Sequence, residues 1–385
     1  MRTCAEVKLL ILERTGLHSA WKKTECFYRI VQLTRRRKRV ATRIPRDACV
    51  QRARMHHARG APRDRRCADP PEIRGRIARP IPKGLHEPLH ARTRMANSPR
   101  IRFRCPIDLA HLESDAADFV CSNGHKFPIL GGFADLTYPP SLLPSDDEFR
   151  KRYDATASGY EAGLAWLFES FSEDENVVRS SMIDQLRLKP GNHVLEIGCG
   201  TGKDTVRIAD RVGAGGTVYA SDLSSGMLAL LAAKREDIDV SLELFVCNAA
   251  YLPFGDGSFD ATFHFGGLNQ FGDIPRALHE MARVTRIGGR VVVGDEGVPP
   301  WLREHLFGRV LRHANPLYEN KPPLEHLPEN ARGVGVRWLL GEAFYVIDFT
   351  VGEGAPPLNL DLPIPGPRGG TLRSRFRERF GGEEL

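Results

Sequence analysis

The sequence lacks a long apolar run. The longest, MLALLAA at 227–233, is far short of the ~18–20 residues a bilayer span needs, so no membrane span is expected. Serine is almost missing from the first stretch, with Ser19 alone before residue 98, which argues against a Ser-rich organelle transit peptide. The apolar VKLLIL at 7–12 is too short for a secretory signal core and lacks a small-residue cleavage site. Eight cysteines in 385 residues form no dense framework, which excludes a disulfide scaffold and makes a reducing cytoplasm the expected compartment. Internal repeats are also missing.

Charge is present but unevenly spread. Residues 1–94 carry 25 Lys+Arg against 8 Asp+Glu, net +17, and the remaining 30 basic and 40 acidic residues give −10. The basic stretch, with RRRKR at 35–39 and PRDRR at 62–66, reads poorly as a fold. It is consistent with a nucleic-acid-binding arm or with translation upstream of a start at Met95, and it is expected to be disordered or non-native. The organisation expected is an extension over 1–94, a ribbon-like module over 95–145, a principal domain over 146–355 and a Pro/Gly/Arg-rich tail over 356–385.

From about 192 the chain alternates. HVLEIG (193–198), TVYASD (217–222), LELFVCN (242–248), FDATFHF (259–265) and RVVVGD (290–295) read as strands. KDTVRIADRV (203–212), SGMLALLAAKRE (225–236) and DIPRALHEMARV (273–284) read as helices, the last capped by Asp273. VRWLLGEAFYVIDFTVG (336–352) reads as a hairpin about Gly341-Glu342. Such βαβ alternation predicts an α/β fold, a doubly wound and mostly parallel sheet.

In that fold, ligands sit beyond the carboxyl ends of the strands, and the first such loop here is VLEIGCGTG (194–202). A dinucleotide fingerprint would need glycine where Lys203 stands, and no phosphate-loop G-K-[ST] follows. The pattern is instead Glu196, Gly198, Gly200, Gly202. A carboxylate ahead of a glycine loop suits a ligand that carries positive charge, as the ammonium and sulfonium of S-adenosylmethionine do. Backbone amides near Gly200–Gly202 suit the ligand's carboxylate. Asp222, with Leu223, ends the second strand where an acid accepts ribose hydroxyls, and Asn248, with Ala249, ends the third beside the expected adenine.

The segments VLEIGCGTG, YASDLSSGML, NAAYLPFGDGSFDATF and ARVTRIGGRVVVGDE resemble, in order and spacing, a class I S-adenosylmethionine-dependent methyltransferase (methyltransferase type 11) of the kind found in ubiquinone and menaquinone biosynthesis. The resemblance spans about 150–350 and implies a seven-stranded Rossmann-like sheet and methyl transfer to oxygen, nitrogen or carbon. Two departures stand out: Asn248 replaces the usual Asp, and RIGG (286–289) lacks the usual proline. RYDATASGY (152–160) resembles the family's lid, so Tyr153 and Tyr160 are expected over the cofactor. His264, at the end of the fourth strand, is a candidate general base or a structural histidine. Cys199 has no paired base in view and is not expected to be a nucleophile.

FRCPIDLAHLESDAADFVCSNGHKFPILGGFADL (103–136) places Cys105, Cys121 and His125 at zinc-ribbon spacing, with Asp108 at the second cysteine position. The segment resembles the amino-terminal zinc finger of a bacterial ribosomal RNA guanine methyltransferase. The resemblance implies either a structural zinc on Cys105, Asp108, Cys121 and His125 or a ribbon that has lost its metal.

The function expected is methylation of a small molecule. RNA base methylation is the alternative, against which the acidic body speaks, and a non-catalytic cofactor-binding activator is a second. In the tail, Arg368 and Arg373 around Gly369-Gly370-Thr371 are expected either to be solvated or to hold an anionic acceptor group at the open end of the sheet. Nothing in the sequence assigns the oligomeric state.

Overall fold

The computed structural model describes residues 100–115 and 117–381; the reading of 1–94 as a disordered or non-native extension falls outside them. The principal domain is the expected doubly wound sheet. Its strands are β5 (His193–Ile197), β6 (Thr217–Ser221), β7 (Ser241–Val246), β8 (Phe259–Phe265), β9 (Thr285–Glu296), β10 (Ala331–Leu339) and β11 (Phe344–Val351). Their order across the sheet is β7-β6-β5-β8-β9-β11-β10. The first five run parallel, and β11 enters antiparallel to both β9 and β10. The strand order reverses at β5, whose neighbours are β6 on one side and β8 on the other. That switch point opens a crevice above the loop that follows β5.

Every residue of β6 is buried, as are the last four of β5, because helices cover both faces of a parallel sheet. On one face, Ile208, Ala209 and Val212 of α4 (Lys203–Val212) pack with Leu228 and Leu231 of α5 (Ser225–Ala232). On the other, Ala277, Leu278 and Met281 of α6 (Ile274–Val284) join the aromatic group Tyr219, Phe245, Phe254 and Phe259. Asp273 caps α6 as expected, its carboxylate accepting from Arg276 N at 2.9 Å.

Ahead of the sheet lie β1 (Leu112–Ser114), β2 (Asp118–Cys121), β3 (Lys126–Leu130) and β4 (Phe133–Asp135). They form an antiparallel run, and β4 continues it into the main sheet by pairing parallel with β7. The seven expected strands are thus extended to an eleven-stranded sheet. Cys105, Leu112, Cys121, Phe127 and Leu136 share one apolar cluster with Phe245 and Phe254.

Three helices link this run to β5: α1 (Pro144–Thr156), α2 (Tyr160–Phe171) and α3 (Glu175–Asp184). The segment after β9 carries α7 (Leu306–Ala314), and the tail ends in α8 (Leu372–Phe380), which Thr371 opens with a capping box. Among the described residues, no helix is long and apolar enough to cross a membrane.

Candidate functional site

The three glycines after β5 are required for different reasons. At Gly202 a Cβ would stand 2.3 Å from Leu231 Cδ1, so the loop can lie on α5 only without a side chain. At Gly198 a Cβ would meet the His264 ring at 3.1 Å. Gly200 has φ +53°, and its missing side chain would point at Tyr160, 3.8 Å away. The loop's shape is therefore set by α5 below and by a cavity above.

That cavity holds about 730 Å³ of empty space open to solvent. Gly198 and Gly200 line it from the first loop, Asp222 and Leu223 from the second, Asn248 and Ala249 from the third. Tyr153 and Tyr160 line it from α1 and α2, their rings packed edge to face at 6.0 Å. His264 closes the fourth side.

Asp222 is held rigidly. One carboxylate oxygen accepts Gly200 N–H at 2.9 Å and the other accepts Ser224 N–H at 2.8 Å. Each oxygen keeps a second lone pair for a ligand hydroxyl. Burial pushes its pKa up to about 6 against the pull of those two amides. A diol donating to this carboxylate needs it ionised. Cofactor affinity is therefore expected to be level above that pKa and to fall towards about tenfold per pH unit below it. Calorimetry across the range reads this directly, and a profile that stays level in acid would remove Asp222 from the ribose.

Asn248 is only 7% exposed, and its carbonyl oxygen accepts Ala250 N–H at 3.0 Å, leaving one lone pair for an adenine amino group. Glu196 lies beneath the loop. It is buried at 2% exposure, Thr205 of α4 donates to it at 2.6 Å, and it lines neither this cavity nor its neighbour. Burial, and then the nearby Asp204, hold its carboxyl well above the usual range. It braces the loop from below. Gly202 likewise lies outside both linings.

Sequence reasoning missed the way α1 is fastened over the cavity. Asp146, near its start, accepts Gly272 N–H at 2.8 Å. Asp154, near its end, accepts Ser224 Oγ at 2.6 Å and Gly226 N–H at 3.1 Å. Both partners are remote in sequence, so no local pattern marks them. Asp146, Phe149, Gln270 and Phe271 also line the cavity unannounced. The rule that strand ends carry function could have pointed to the 266–271 loop.

A second cavity, of about 780 Å³, shares Tyr153, Tyr160, Gly198, Gly200, Gly266 and Gln270 with the first. Its remaining wall is mixed: Leu164, Phe168, Phe265, Leu340 and Phe344 are apolar, and Arg179, Lys203 and Asp204 are charged. Glu296 lies among them, its carboxyl pushed well above the ordinary range by burial and by Asp295. Of the two readings of the tail, the arginine clamp finds no support: Arg373 is paired with Asp361 at 2.8 Å, and neither Arg368 nor Arg373 lines either cavity.

His264 is 1% exposed. Its Nδ1 lies 2.8 Å from the Ile197 carbonyl oxygen, and its Nε2 has no partner among the described residues. Burial depresses its pKa, which makes the ring neutral. An unmatched buried nitrogen costs about 1–3 kcal/mol, which a ligand hydroxyl would offset.

In the ribbon, Cys105 Sγ and Cys121 Sγ each lie 3.4 Å from His125 Nδ1, and Asp108 Oδ2 lies 3.2 Å from that nitrogen and 4.0 Å from Cys121 Sγ. All four ligand atoms fall within 4.8 Å of one another. The edges of a tetrahedron with zinc bond lengths are roughly 3.3–3.8 Å; the separations from His125 Nδ1 match them, and the wider pairs would close on an ion. Asn123 Nδ2 donates to the same Asp108 oxygen at 2.7 Å, and Ala110 N–H donates to the other at 3.0 Å, which orients the carboxylate.

Residues 194–289 match the family model described as a methyltransferase domain. Demethylmenaquinone methyltransferase of Beutenbergia cavernae is 34% identical over 215 residues, which cover 53% of this chain and 82% of that protein. The Corynebacterium glutamicum (strain R) protein of the same name is 38% identical over 167 residues, or 43% of this chain and 64% of that one. Among solved structures, an S-adenosylmethionine-dependent methyltransferase from Aquifex aeolicus is similar at 19% identity, covering 45% of this chain and 89% of that one with a TM-score of 0.33.

Proposed function

The chain belongs to the class I S-adenosylmethionine-dependent methyltransferases, and from that premise we propose that its small-molecule acceptor is a hydroxylated aromatic ring of the quinone type. The observation that carries the reading is the aromatic part of the second cavity, which shares six lining residues with the first and whose wall also carries Arg179, Lys203, Asp204 and Glu296. A flat ring suits walls of Phe168, Phe265 and Phe344, and Gln270 and Glu296 offer polar anchors. The names of the two relatives, both demethylmenaquinone methyltransferases, support the same acceptor class.

When bound, the cofactor supplies an electrophilic methyl group on sulfur. The protein's part is to hold the two reactants in line and to exclude water. Asp222 and Asn248 fix the nucleoside end. Tyr153 and Tyr160 cover the junction between the cavities; the two fastenings of α1 hold Tyr153, and Tyr160 packs edge to face on it. Gly200 leaves the approach open. Gly200→Val is expected to abolish cofactor binding at concentrations that saturate the wild type, read by calorimetry; equal binding would refute this placement of the cofactor.

The acceptor is tested with methyl-labelled cofactor and a prenylated naphthohydroquinone that lacks its ring methyl, offered reduced and oxidised. Label is expected in the reduced ring, whose hydroxyls make it electron-rich. Transfer to RNA alone, or to neither ring form, would overturn the reading.

We also propose that Cys105, Asp108, Cys121 and His125 hold a structural Zn(II). Two thiolates, one imidazole and one carboxylate close its coordination, so the ion would serve folding and take no part in methyl transfer.

A further inference from the structure

We propose that the Glu296 side chain grips a ring oxygen of the acceptor from the wall of the second cavity and so selects rings that carry such an oxygen. The inference rests on the hydroxylated-ring reading above. Glu296 is the last residue of β9, on the edge to which the parallel strands deliver their carboxyl ends. It lines the second cavity with Gln270, Phe265 and Phe344, and it does not line the first, where Asp222 and Asn248 stand. Its side chain therefore belongs to the acceptor's cavity and not to the nucleoside end of the cofactor.

The surrounding network fixes Glu296 and leaves its carboxyl unused. Asp295 Oδ1 accepts Glu296 N–H at 2.9 Å, and Asp295 Oδ2 accepts Asn269 N–H at 2.5 Å. Asn269 Nδ2 donates to the Glu296 carbonyl oxygen at 2.8 Å, and Asn269 Oδ1 accepts the Tyr345 hydroxyl at 2.8 Å. Each of these groups is matched. Glu296 Oε2 is enclosed and has no hydrogen-bond partner among the described residues. The residue as a whole is only partly buried, and of its two carboxyl oxygens only Oε2 is enclosed, so Oε1 is the one at the cavity surface.

The charges around the carboxyl decide what it can hold. Burial, and then Asp295, keep it well above the usual range, so it retains its proton at neutral pH. Tyr153 of α1, Tyr160 of α2, Tyr345 of β11 and Tyr318 beyond α7 lie within its electrostatic reach, and none of them brings positive charge. The cations of the same cavity are engaged elsewhere: Arg179 pairs with Asp204 and Glu175, and Lys203 lies 3.8 Å from Glu175. A carboxylate would ask for a cation or a donor. A neutral carboxyl presents a hydrogen, so its partner is an oxygen with a free lone pair, as a ring hydroxyl or ring carbonyl has.

Such a grip does what the aromatic walls cannot. Phe168, Phe265 and Phe344 can sandwich a flat ring, but stacking leaves it free to turn in its own plane. A hydrogen bond to one ring oxygen removes that freedom and fixes which edge of the ring faces the junction with the first cavity. Because Glu296 keeps its proton, it binds and orients the ring and is no base for methyl transfer.

Glu296→Gln keeps a donor and an acceptor in place and cannot ionise, whereas Glu296→Ala keeps neither. With the prenylated naphthohydroquinone, Glu296→Ala should raise the acceptor's KM about 3–10-fold, the range of one neutral hydrogen bond, while kcat and cofactor affinity move by less than about twofold. Glu296→Gln should stay near the wild type. Binding is read apart from turnover in the full chain with S-adenosylhomocysteine. 1-Tetralone, whose oxygen only accepts, should bind the wild type more tightly than tetralin, which lacks that oxygen, and Glu296→Ala should bind the two alike. The wild type's affinity for 1-tetralone should be level in acid and at neutral pH and fall as rising pH strips the carboxyl of its hydrogen; Glu296→Gln should show no such fall. In infrared difference spectra, a carboxylic-acid C=O band that Glu296→Gln lacks should move when 1-tetralone binds. Equal wild-type affinity for 1-tetralone and tetralin, or an unmoved band, would overturn the inference. So would a Glu296→Ala that loses cofactor affinity alone, which would set the carboxyl against the cofactor. A wild type that passes these binding tests yet methylates no hydroxylated ring would overturn the acceptor reading and leave the grip at Glu296 supported.

Discussion

Asp222→Ala is expected to weaken S-adenosylmethionine binding by about 10²–10⁴. Hydrogen bonds to a charged group contribute about 1.5–3 kcal/mol each, and two ribose hydroxyls would lose theirs together. The loss reaches further than the ligand, because the same carboxylate gathers Gly200 N–H at 2.9 Å and Ser224 N–H at 2.8 Å. Without it, the first and second loops lose their shared anchor, and both amides turn to water. Asp222→Asn should fall between the two. It keeps one oxygen, but its NH2 must face one of the two backbone donors. It should also abolish the acid-side fall in affinity, because no group near a pKa of about 6 remains at that position. Calorimetry on the three proteins checks both effects. A change of less than threefold in Asp222→Ala would mean that the ribose lies elsewhere.

The order and type of the principal strands were legible because each ends in a turn signal and is followed by an amphipathic helix. The first strand and its helix lie where HVLEIG and KDTVRIADRV predict. Asp222 and Asn248 could be placed for the same reason: a parallel strand delivers the residue at its carboxyl end to the same edge as its neighbours. The burial of Glu196 was not legible. It sits inside a strand covered on both faces, where alternation carries no information about which side holds the ligand. Thr205, one turn into α4, decides its environment.

The place of α1 beside the cavity was legible only through the resemblance. PSDDEFRKRYDAT is so polar that it reads as a solvated helix, and Asp146 and Asp154 look like surface charges. Their partners lie 126 and 70 residues away in sequence. The union of the ribbon with the main sheet was hidden in the same way. FAD at 133–135 is too short to declare itself a strand, and only β7 beside it supplies the pairing. In the tail, the arginines suggested either solvation or an anion clamp, and Asp361, 12 residues upstream, takes Arg373.

The amino-terminal module should depend on metal for its local order. The full chain, purified without chelator, is expected to carry about one Zn(II), measured by elemental analysis. Its removal should leave two thiols and a carboxylate close together, Cys105 and Cys121 being buried. Isolated zinc fingers lose about 10–16 kcal/mol of apparent binding free energy and unfold outright. Here the loss should be smaller and local, because β4 remains paired with β7 and Phe127 and Leu136 stay in a cluster shared with the main core. Hydrogen exchange should therefore accelerate across β1 to β3, while β5, β6 and β8 keep their protection. Cys105→Ser should reproduce the pattern in the presence of zinc, since serine is a poor ligand for this ion and the other three donors sit on one turn and a single neighbouring carboxylate. Cofactor affinity should change little, because none of the four ligands lines either cavity. Absence of bound metal, with exchange in β1 to β3 indifferent to chelator, would show that hydrophobic packing alone holds the ribbon and that its four donors are a relic of the spacing.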